Sequence, residues 1–281
     1  MKEITVLSEK TIKSMKLYSD VVRIKNELRE MGKDNESALT VDDLVAFDQL
    51  HYHGVEAIDI AIDKLGINSN SNVLEIGAGI GGPARYLATK SGASVTAIEL
   101  QEDHHKVGAE LTERCGLDKK VRHLCGDFLE SKLAPYSFDA VVSWLAIYHI
   151  PNRSKLLNLC HSYLKSHGFF YTEDFALHSP LSKFENNELS KDFFANYLVS
   201  YSDYKTDLIT AGFHNILSED MTTSWSKFTE ERYNLYTLDI ERHKRVHNPQ
   251  IVSNMIHFYG FAKRYLAGGK LGGIRILGQK Q

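Results

Sequence analysis

The sequence predicts an α/β fold: a seven-stranded, mostly parallel sheet covered by helices, with helical insertions forming a cap. Three observations predict it. Short apolar runs alternate with segments of helical composition between residues 72 and 174. The first of these runs ends in a glycine cluster that opens a helix. Two more apolar runs, at 213–221 and 271–279, flank a long helical stretch. Strand–helix alternation is the signature of a parallel sheet with helices on its faces.

The elements follow in order. Leu17, Val21, Ile24 and Leu28 recur at helical spacing over 10–31, and Gly32 ends that helix. A polar stretch from Lys33 to Ser37 follows. Thr40 caps a second helix, with Asp42 and Asp43 in its first turn. A third runs over 55–65, with Ile58, Ile62 and Leu65 on one face and Gly66 as its stop. Strands are expected at 72–76, 95–100, 121–125, 138–144 and 168–174, and helices at 83–91, 103–115 and 152–165. Residues 175–203 are polar and aromatic. A helix at 203–211 leads into a sixth strand at 213–221. Helices at 227–245 and 250–266 are separated by Asn248-Pro249, and a last strand at 271–279 follows Gly268-Gly269.

Composition limits the function classes. The chain has 281 residues and a formal net charge of −3, so it lacks the clustered basic excess of a nucleic-acid-binding protein. No apolar stretch approaches a membrane span, and the start MKEITVLSEK has no apolar core of a signal peptide. Cys115, Cys125 and Cys160 are odd in number and widely spaced, which reads as reduced thiols of a cytoplasmic protein. No metal site is expected, since the histidines show no ligand spacing: His104–His105 and His51-Tyr52-His53 lack a second cluster. The sequence carries no signature of an oligomeric state. The 14 Tyr, 13 Phe and 13 His suggest a ring-lined pocket for a small molecule.

The chemistry starts at Glu75-Ile-Gly77-Ala-Gly79-Ile-Gly81-Gly82. Glycines between a strand and a helix let backbone approach a ligand without a Cβ in the way. Gly77, Gly79 and Gly82 also satisfy the dinucleotide fingerprint, and Glu99 lies about 20 residues on, as that motif requires. Charge separates the ligands. A dinucleotide would set a pyrophosphate beside Glu75, whereas S-adenosylmethionine brings a sulfonium and an ammonium there. Asp127 ends the third strand, where a carboxylate can accept from an adenine amino group, with Phe128 beside the ring.

With these motifs the sequence resembles the class I S-adenosylmethionine-dependent methyltransferases. Within them it is most similar to the small-molecule branch of sarcosine/dimethylglycine and phosphoethanolamine N-methyltransferases. The matching pieces are VLEIGAGIGGPARYLA at 73–88, VTAIEL at 95–100, GDF at 126–128 and FDAVVSWLAIYHIP at 138–151. The resemblance implies a Rossmann-like fold in one domain over 1–281. Its parts are an N-terminal helical lid (1–66), a cofactor-binding core (67–174), substrate-side insertions (175–270) and a last strand (271–281) inserted antiparallel. It implies S-adenosyl-L-methionine as methyl donor, S-adenosyl-L-homocysteine as product, and no metal in the chemistry. Glu75 and Gly77, Gly79 and Gly81 would face the methionine end, Glu99 with Leu100 the ribose, and Asp127 with Phe128 the adenine. Gln49 and Ser143 complete the cofactor candidates.

Strand four runs out over the carboxyl edge of the sheet through Ser143-Trp144, where open α/β sheets bind ligands. Substrate candidates are therefore Tyr52, Trp144, Tyr148 and Tyr197, and His149 is the catalytic candidate: an imidazole titrates near neutrality, and the matching histidine is catalytic in phosphobase methyltransferases. An amine must arrive unprotonated for methyl transfer, so nitrogen is the expected acceptor atom. Two departures count against phosphoethanolamine itself. Leu145 stands where the relatives carry an acid, and Gln49 replaces a tyrosine that partners the histidine. O- or C-methylation of a small or isoprenoid acceptor is the alternative. An NAD(P)-dependent dehydrogenase is disfavoured by Glu75 and Asp127, and a non-catalytic cofactor-binding protein is disfavoured by the intact glycine loop. The segment Asp48–Gly54 is read as a lid over the cofactor or as an exposed helix junction. The rings Phe193, Phe194, Tyr197, Tyr201 and Tyr204 are read as packing by their helical spacing, or as a cage for a cation. Arg242-His-Lys-Arg245 reads as a solvated helix face, and Trp225 and Tyr259 as possible walls of the pocket.

Overall fold

The computed structural model describes residues 21–281. The first half of the helix expected over 10–31 lies outside the described residues; its second half is α1 (Val22–Glu30). After the single turn α2 (Val45–Asp48) comes α3 (Val55–Leu65), which ends where Gly66 turns left-handed at φ 63°. The sheet then begins. β1 (Asn72–Ile76), β2 (Ser94–Glu99), β3 (Val121–Cys125) and β4 (Phe138–Trp144) alternate with α4 (Gly82–Ser91) and α5 (Glu102–Arg114). α6 (Arg153–Tyr163) leads to β5 (Leu164–Leu177). Beyond it lie α7 (Lys183–Phe193), α8 (Tyr201–Thr210), β6 (Phe213–Asp220), α9 (Thr222–Leu238), α10 (Ile240–Val246), α11 (Pro249–Ala267) and β7 (Leu271–Lys280).

The seven strands form one sheet in the order β3-β2-β1-β4-β5-β7-β6. Neighbours from β3 to β5 are parallel, and β7 runs antiparallel to both β5 and β6. The chain order reverses between β1 and β4. That reversal leaves a crevice at the carboxyl ends of those two strands, the place where open α/β sheets hold ligands.

The strand sequences dictate this burial. Leu74, Ile76 and Val141 pack into the core on one face, with Phe170, Leu156 and Tyr204. Val73, Val95, Ala97 and Val142 pack on the other, with Ile58 and Leu87. Strands buried on both faces read as continuous apolar runs, which is why they were visible in the sequence. A third cluster holds the cap to the sheet through Tyr148, Phe175, Phe193, Trp225 and Leu271. Trp225 is fully buried and lies flat against Gly273 of β7, where a Cβ would collide with the ring.

Three boundaries differ from the sequence expectation. β5 extends to Leu177, past the expected end at 174, because pairing with β7 continues from Phe169 opposite Gln279 to Leu177 opposite Leu271. The helix expected over 227–245 is two helices that meet at Asp239, a break marked by neither proline nor glycine. The turn carries the basic run beside α1, where Arg242 pairs with Glu27 and Arg245 with Glu30, each at 2.6 Å, while Lys244 and Arg245 stay exposed, so the run is a solvated face on that side only. The segment 175–203, left without regular structure in the sequence reading, contains α7, opened by a capping box of Ser182 and Glu185. Cys115, Cys125 and Cys160 carry free thiols, and no helix among the described residues is long and apolar enough to cross a membrane.

Candidate functional site

Two cavities meet over the switch point of the sheet. The first encloses about 420 Å³ above β1, β2 and β4. The second, about 530 Å³, lies between this edge and the cap. Leu50, His51 and Leu145 line both, and so form the wall between them.

The glycine loop floors the first cavity. Gly77 has φ 70°, and a Cβ there would collide with Ala146 of the loop after β4. The amides of Gly77 and Ala78 both donate to the Ile98 carbonyl at 3.0 Å, which locks the loop against β2. Glu99, at the end of β2, accepts from Gly79 N and Gln101 N, each at 2.8 Å. Its carboxylate is thus held in one orientation on the cavity wall. Asp127 accepts from Leu129 N at 2.9 Å and caps the 3₁₀ turn Phe128–Glu130. Both Asp127 and Phe128 line the cavity.

Glu75 is the unusual group of this wall. It is 2% exposed, and its Oε2 has no hydrogen-bond partner among the described residues. Burial pushes its carboxyl up to about 8, against the pull of Arg85 and with a further push from Glu99. The Ala84 backbone amide bonds the same carboxyl, so one of its oxygens stays unpaired in a buried place, where an unpaired polar atom is costly. Trp144 Nε1 is likewise buried without a partner on the same cavity.

His149 also lines the first cavity. Its Nδ1 lies 3.1 Å from the Phe194 carbonyl, which can only accept, so Nδ1 carries the proton. Nε2 is then an unprotonated acceptor, buried and without a partner. Burial pulls the imidazole pKa down to about 4, so the ring is neutral at physiological pH.

The segment after α2 is held down as a roof. Asp48 Oδ2 pairs with Arg85 Nη2 at 3.0 Å, both side chains being fully buried. Arg85 also donates to the Gly108 carbonyl and to Thr112 Oγ1, each at 3.2 Å. The Asp48 carbonyl lies so close to Gly82 that a Cβ there would collide with it. This buried pair spans 37 residues and has no sequence signal.

The second cavity is walled by Tyr52, Tyr148, Phe175, Phe193, Phe228, Phe258 and Tyr259. Arg232 projects from the inward stripe of α9, between Phe228 and Tyr236, over the Phe228 ring. It makes no ion pair among the described residues, and its sequence neighbours Glu230 and Glu231 pair with Lys263 and Lys227. Sequence reasoning missed it.

Of the residues expected at the cofactor, Glu75, Gly77, Gly79, Glu99, Leu100, Asp127 and Phe128 line the first cavity, and Trp144 joins them. Tyr52 and Tyr148 line the second. Four candidates lie away from the place expected of them. Gln49 lines the second cavity, because its amide is turned away from the loop by Asp48. Gly81 faces His123 and Arg85 at the start of α4. Ser143 is buried in the sheet, where its hydroxyl donates to the Ile76 carbonyl at 2.9 Å. Tyr197 lines neither cavity; its carbonyl accepts from Arg153 and its amide donates to the Tyr148 carbonyl.

The rings of the 193–204 run divide the same way. Phe193 walls the second cavity, while Tyr204 is core and donates to Asp174 at 3.0 Å. Trp225 belongs to the core and not to either cavity, whereas Tyr259 is a wall. Among the described residues the histidines do cluster once, against expectation. His243 and His247, four residues apart, lie with Glu27 so that one ligand atom of each falls within 4.8 Å of the others. Glu27 is already engaged there, by His247 at 2.9 Å and by Arg242 at 2.6 Å. Their i,i+4 spacing was the available signal.

Comparison with known proteins agrees with this layout. Residues 74–172 match the methyltransferase domain family. The phosphoethanolamine N-methyltransferase of Plasmodium falciparum is 27% identical over 186 residues, covering 63% of this chain and 66% of that protein. A sterol 24-C-methyltransferase of Yarrowia lipolytica is 32% identical over 107 residues, covering 38% of this chain and 28% of the other. The chain therefore spans less than two thirds of the length of these relatives. Phosphoethanolamine N-methyltransferase 2 of Haemonchus contortus, solved with phosphomonomethylethanolamine and S-adenosylhomocysteine, superposes with a TM-score of 0.78 at 21% identity, covering 92% of this chain and 60% of that one. Residues 74–172 are thus similar to a methyltransferase domain, and the chain has the Rossmann-like fold of the class I methyltransferases.

Proposed function

We propose that the protein transfers a methyl group from S-adenosylmethionine to a small-molecule acceptor, with nitrogen as the receiving atom, and releases S-adenosylhomocysteine. The observation that carries this reading is the buried Glu75 carboxyl, whose Oε2 has no hydrogen-bond partner among the described residues, in a cavity that also presents Glu99 and Asp127. Three acids in one cavity suit a ligand with an ammonium, a ribose diol and an adenine amino group, and repel a pyrophosphate. S-adenosylmethionine supplies a methyl group activated by a sulfonium.

The residues divide the work. Glu75 holds the ammonium, Glu99 accepts from the ribose hydroxyls, and Asp127 with Phe128 takes the adenine. Leu50, His51 and Leu145 stand between donor and acceptor, and the Asp48–Arg85 pair keeps that roof closed to water. Tyr52, Tyr148 and the other rings of the second cavity hold the acceptor. The neutral His149 offers its Nε2 lone pair to position the methyl acceptor. The free thiols suit a reducing, cytoplasmic compartment.

Isothermal titration with S-adenosylhomocysteine tests the reading: micromolar binding is expected, and no binding refutes it. Glu99→Ala is expected to weaken that binding about tenfold or more, the loss of a charge-assisted hydrogen bond. In a labelled-methyl screen, His149→Ala is expected to lower turnover while S-adenosylhomocysteine affinity stays within about threefold. The reverse pattern would remove His149 from the chemistry. The aromatic walls and Leu145 favour, as a second reading, an apolar acceptor methylated on carbon.

A further inference from the structure

The chain at the wall between the two cavities carries two hydrogen-bond acceptors that no described residue engages. Gln49 is 6% exposed and lines the second cavity. Its amide orientation is forced. Asp48 Oδ1 lies 2.8 Å from the side-chain nitrogen, and a carboxylate can only accept, so the NH₂ group faces Asp48. Asp48 is itself fixed by Arg85 through its other oxygen. Gln49 Oε1 therefore turns away from that network, and it is buried without a hydrogen-bond partner among the described residues.

His51, two residues on, lines both cavities and is 5% exposed. Its Nε2 lies 2.9 Å from the Gly54 carbonyl, so Nε2 carries the proton and Nδ1 keeps its lone pair. Nδ1 makes no hydrogen bond among the described residues. Trp144 lies against the ring with centroids 5.7 Å apart, which fixes its plane. Gln49 Oε1 and His51 Nδ1 are thus two preset acceptors, next to Leu50 and Leu145, which offer no polar side-chain atom.

We propose that Gln49 Oε1 and His51 Nδ1 receive the N–H hydrogens of the methyl acceptor, so that the substrate presents an uncharged nitrogen bearing N–H at the transfer point. This deepens the proposed methyl transfer and rests on it. Two hydrogen bonds taken from an amine nitrogen leave its lone pair as the free direction for attack. A carbon acceptor would leave both polar atoms unpaired, which is how a site built for N–H rejects an isostere without it.

The test uses probes, since the natural acceptor is unidentified. Aniline, N,N-dimethylaniline and toluene are titrated calorimetrically into the protein, with and without saturating S-adenosylhomocysteine. They share an uncharged ring near neutral pH that suits the aromatic walls, and only aniline carries N–H. Aniline is expected to bind at least tenfold tighter than the other two. Gln49→Leu and His51→Phe, checked for folding by circular dichroism, are each expected to cut that preference to threefold or less. Equal or absent binding of all three probes overturns the proposal, as does a preference that survives both substitutions. The arm without S-adenosylhomocysteine separates the two claims. If that ligand fails to bind while the aniline preference holds, the methyl-transfer reading falls and the acceptor pair remains.

Discussion

Replacing Glu75 with Gln is expected to weaken S-adenosylhomocysteine binding by about a hundredfold, the loss expected when a charge-assisted hydrogen bond to a buried ammonium is removed. The pH dependence makes the prediction specific. In the unliganded protein the Glu75 carboxyl titrates at about 8, held up by burial. Below that pH the group is protonated, and a cationic ligand must expel the proton before it can pair. Affinity of the native protein is therefore expected to rise as pH increases from about 6 to about 8, by up to about tenfold per unit. Glu75→Gln is expected to lose this slope. Affinity that is flat over that window in the native protein would mean that Glu75 does not meet the ammonium.

The same carboxyl sets a stability signature in the unliganded state. Its folded pKa lies above the ordinary value of 4.5, so between about 4.5 and about 8 the folded chain binds the proton that the unfolded chain has released. The contribution is complete below 4.5 and disappears as pH rises through about 8. Unfolding free energy is thus expected to fall across this window, on the order of a few kcal/mol from this group alone. Glu75→Gln is expected to flatten the fall and to be the more stable protein at pH 9. Urea denaturation of both proteins at pH 5 and pH 9 measures it.

The parts of this site that were legible in the sequence are those whose signal is local. A glycine loop between an apolar run and a helix declares itself, because only a close backbone approach explains glycine at Gly77, where Ala146 leaves no room for a Cβ. Glu99 and Asp127 are legible because one ends β2 and the other follows the end of β3 at the same sheet edge. The misplacements share one cause, which is that the roof and cap are positioned by contacts between distant segments. Gln49 was assigned to the cofactor, but Asp48 turns its amide toward the other cavity, and Asp48 takes that role only because Arg85, on another element, fixes it. The helix break at Asp239 carries no local marker; pairing of Arg242 and Arg245 with α1 accompanies it. Arg232 reads as one more surface charge until the helix phase of α9 is known, and then it falls on the cavity stripe with Phe228 and Tyr236.

The contact most exposed to a single substitution is the Asp48–Arg85 pair, and Asp48→Asn is expected to destabilise the protein by about 3–5 kcal/mol. Both side chains are fully buried. The substitution keeps the shape and removes the charge, so Arg85 is left as a buried cation with only neutral acceptors, the Gly108 carbonyl, the Thr112 hydroxyl and the new amide oxygen, to receive its hydrogens. A merely solvated pair would cost less than about 1 kcal/mol, and a loss that small would overturn the assignment. Asp48→Leu combined with Arg85→Met tests the other half of the argument. Removing both charges relieves the uncompensated cation, so this double variant is expected to be more stable than Asp48→Asn, and a double-mutant cycle in urea reads the coupling. Its function should not recover with its stability. Without Asp48 Oδ1 the Gln49 amide loses the carboxylate that orients it, and either end of the amide can turn into the second cavity. The double variant is therefore expected to fold and to bind S-adenosylhomocysteine, yet to show the weakened aniline preference of Gln49→Leu. A double variant that keeps the full preference would show that the roof orients Gln49 by packing alone and that the ion pair serves only the fold.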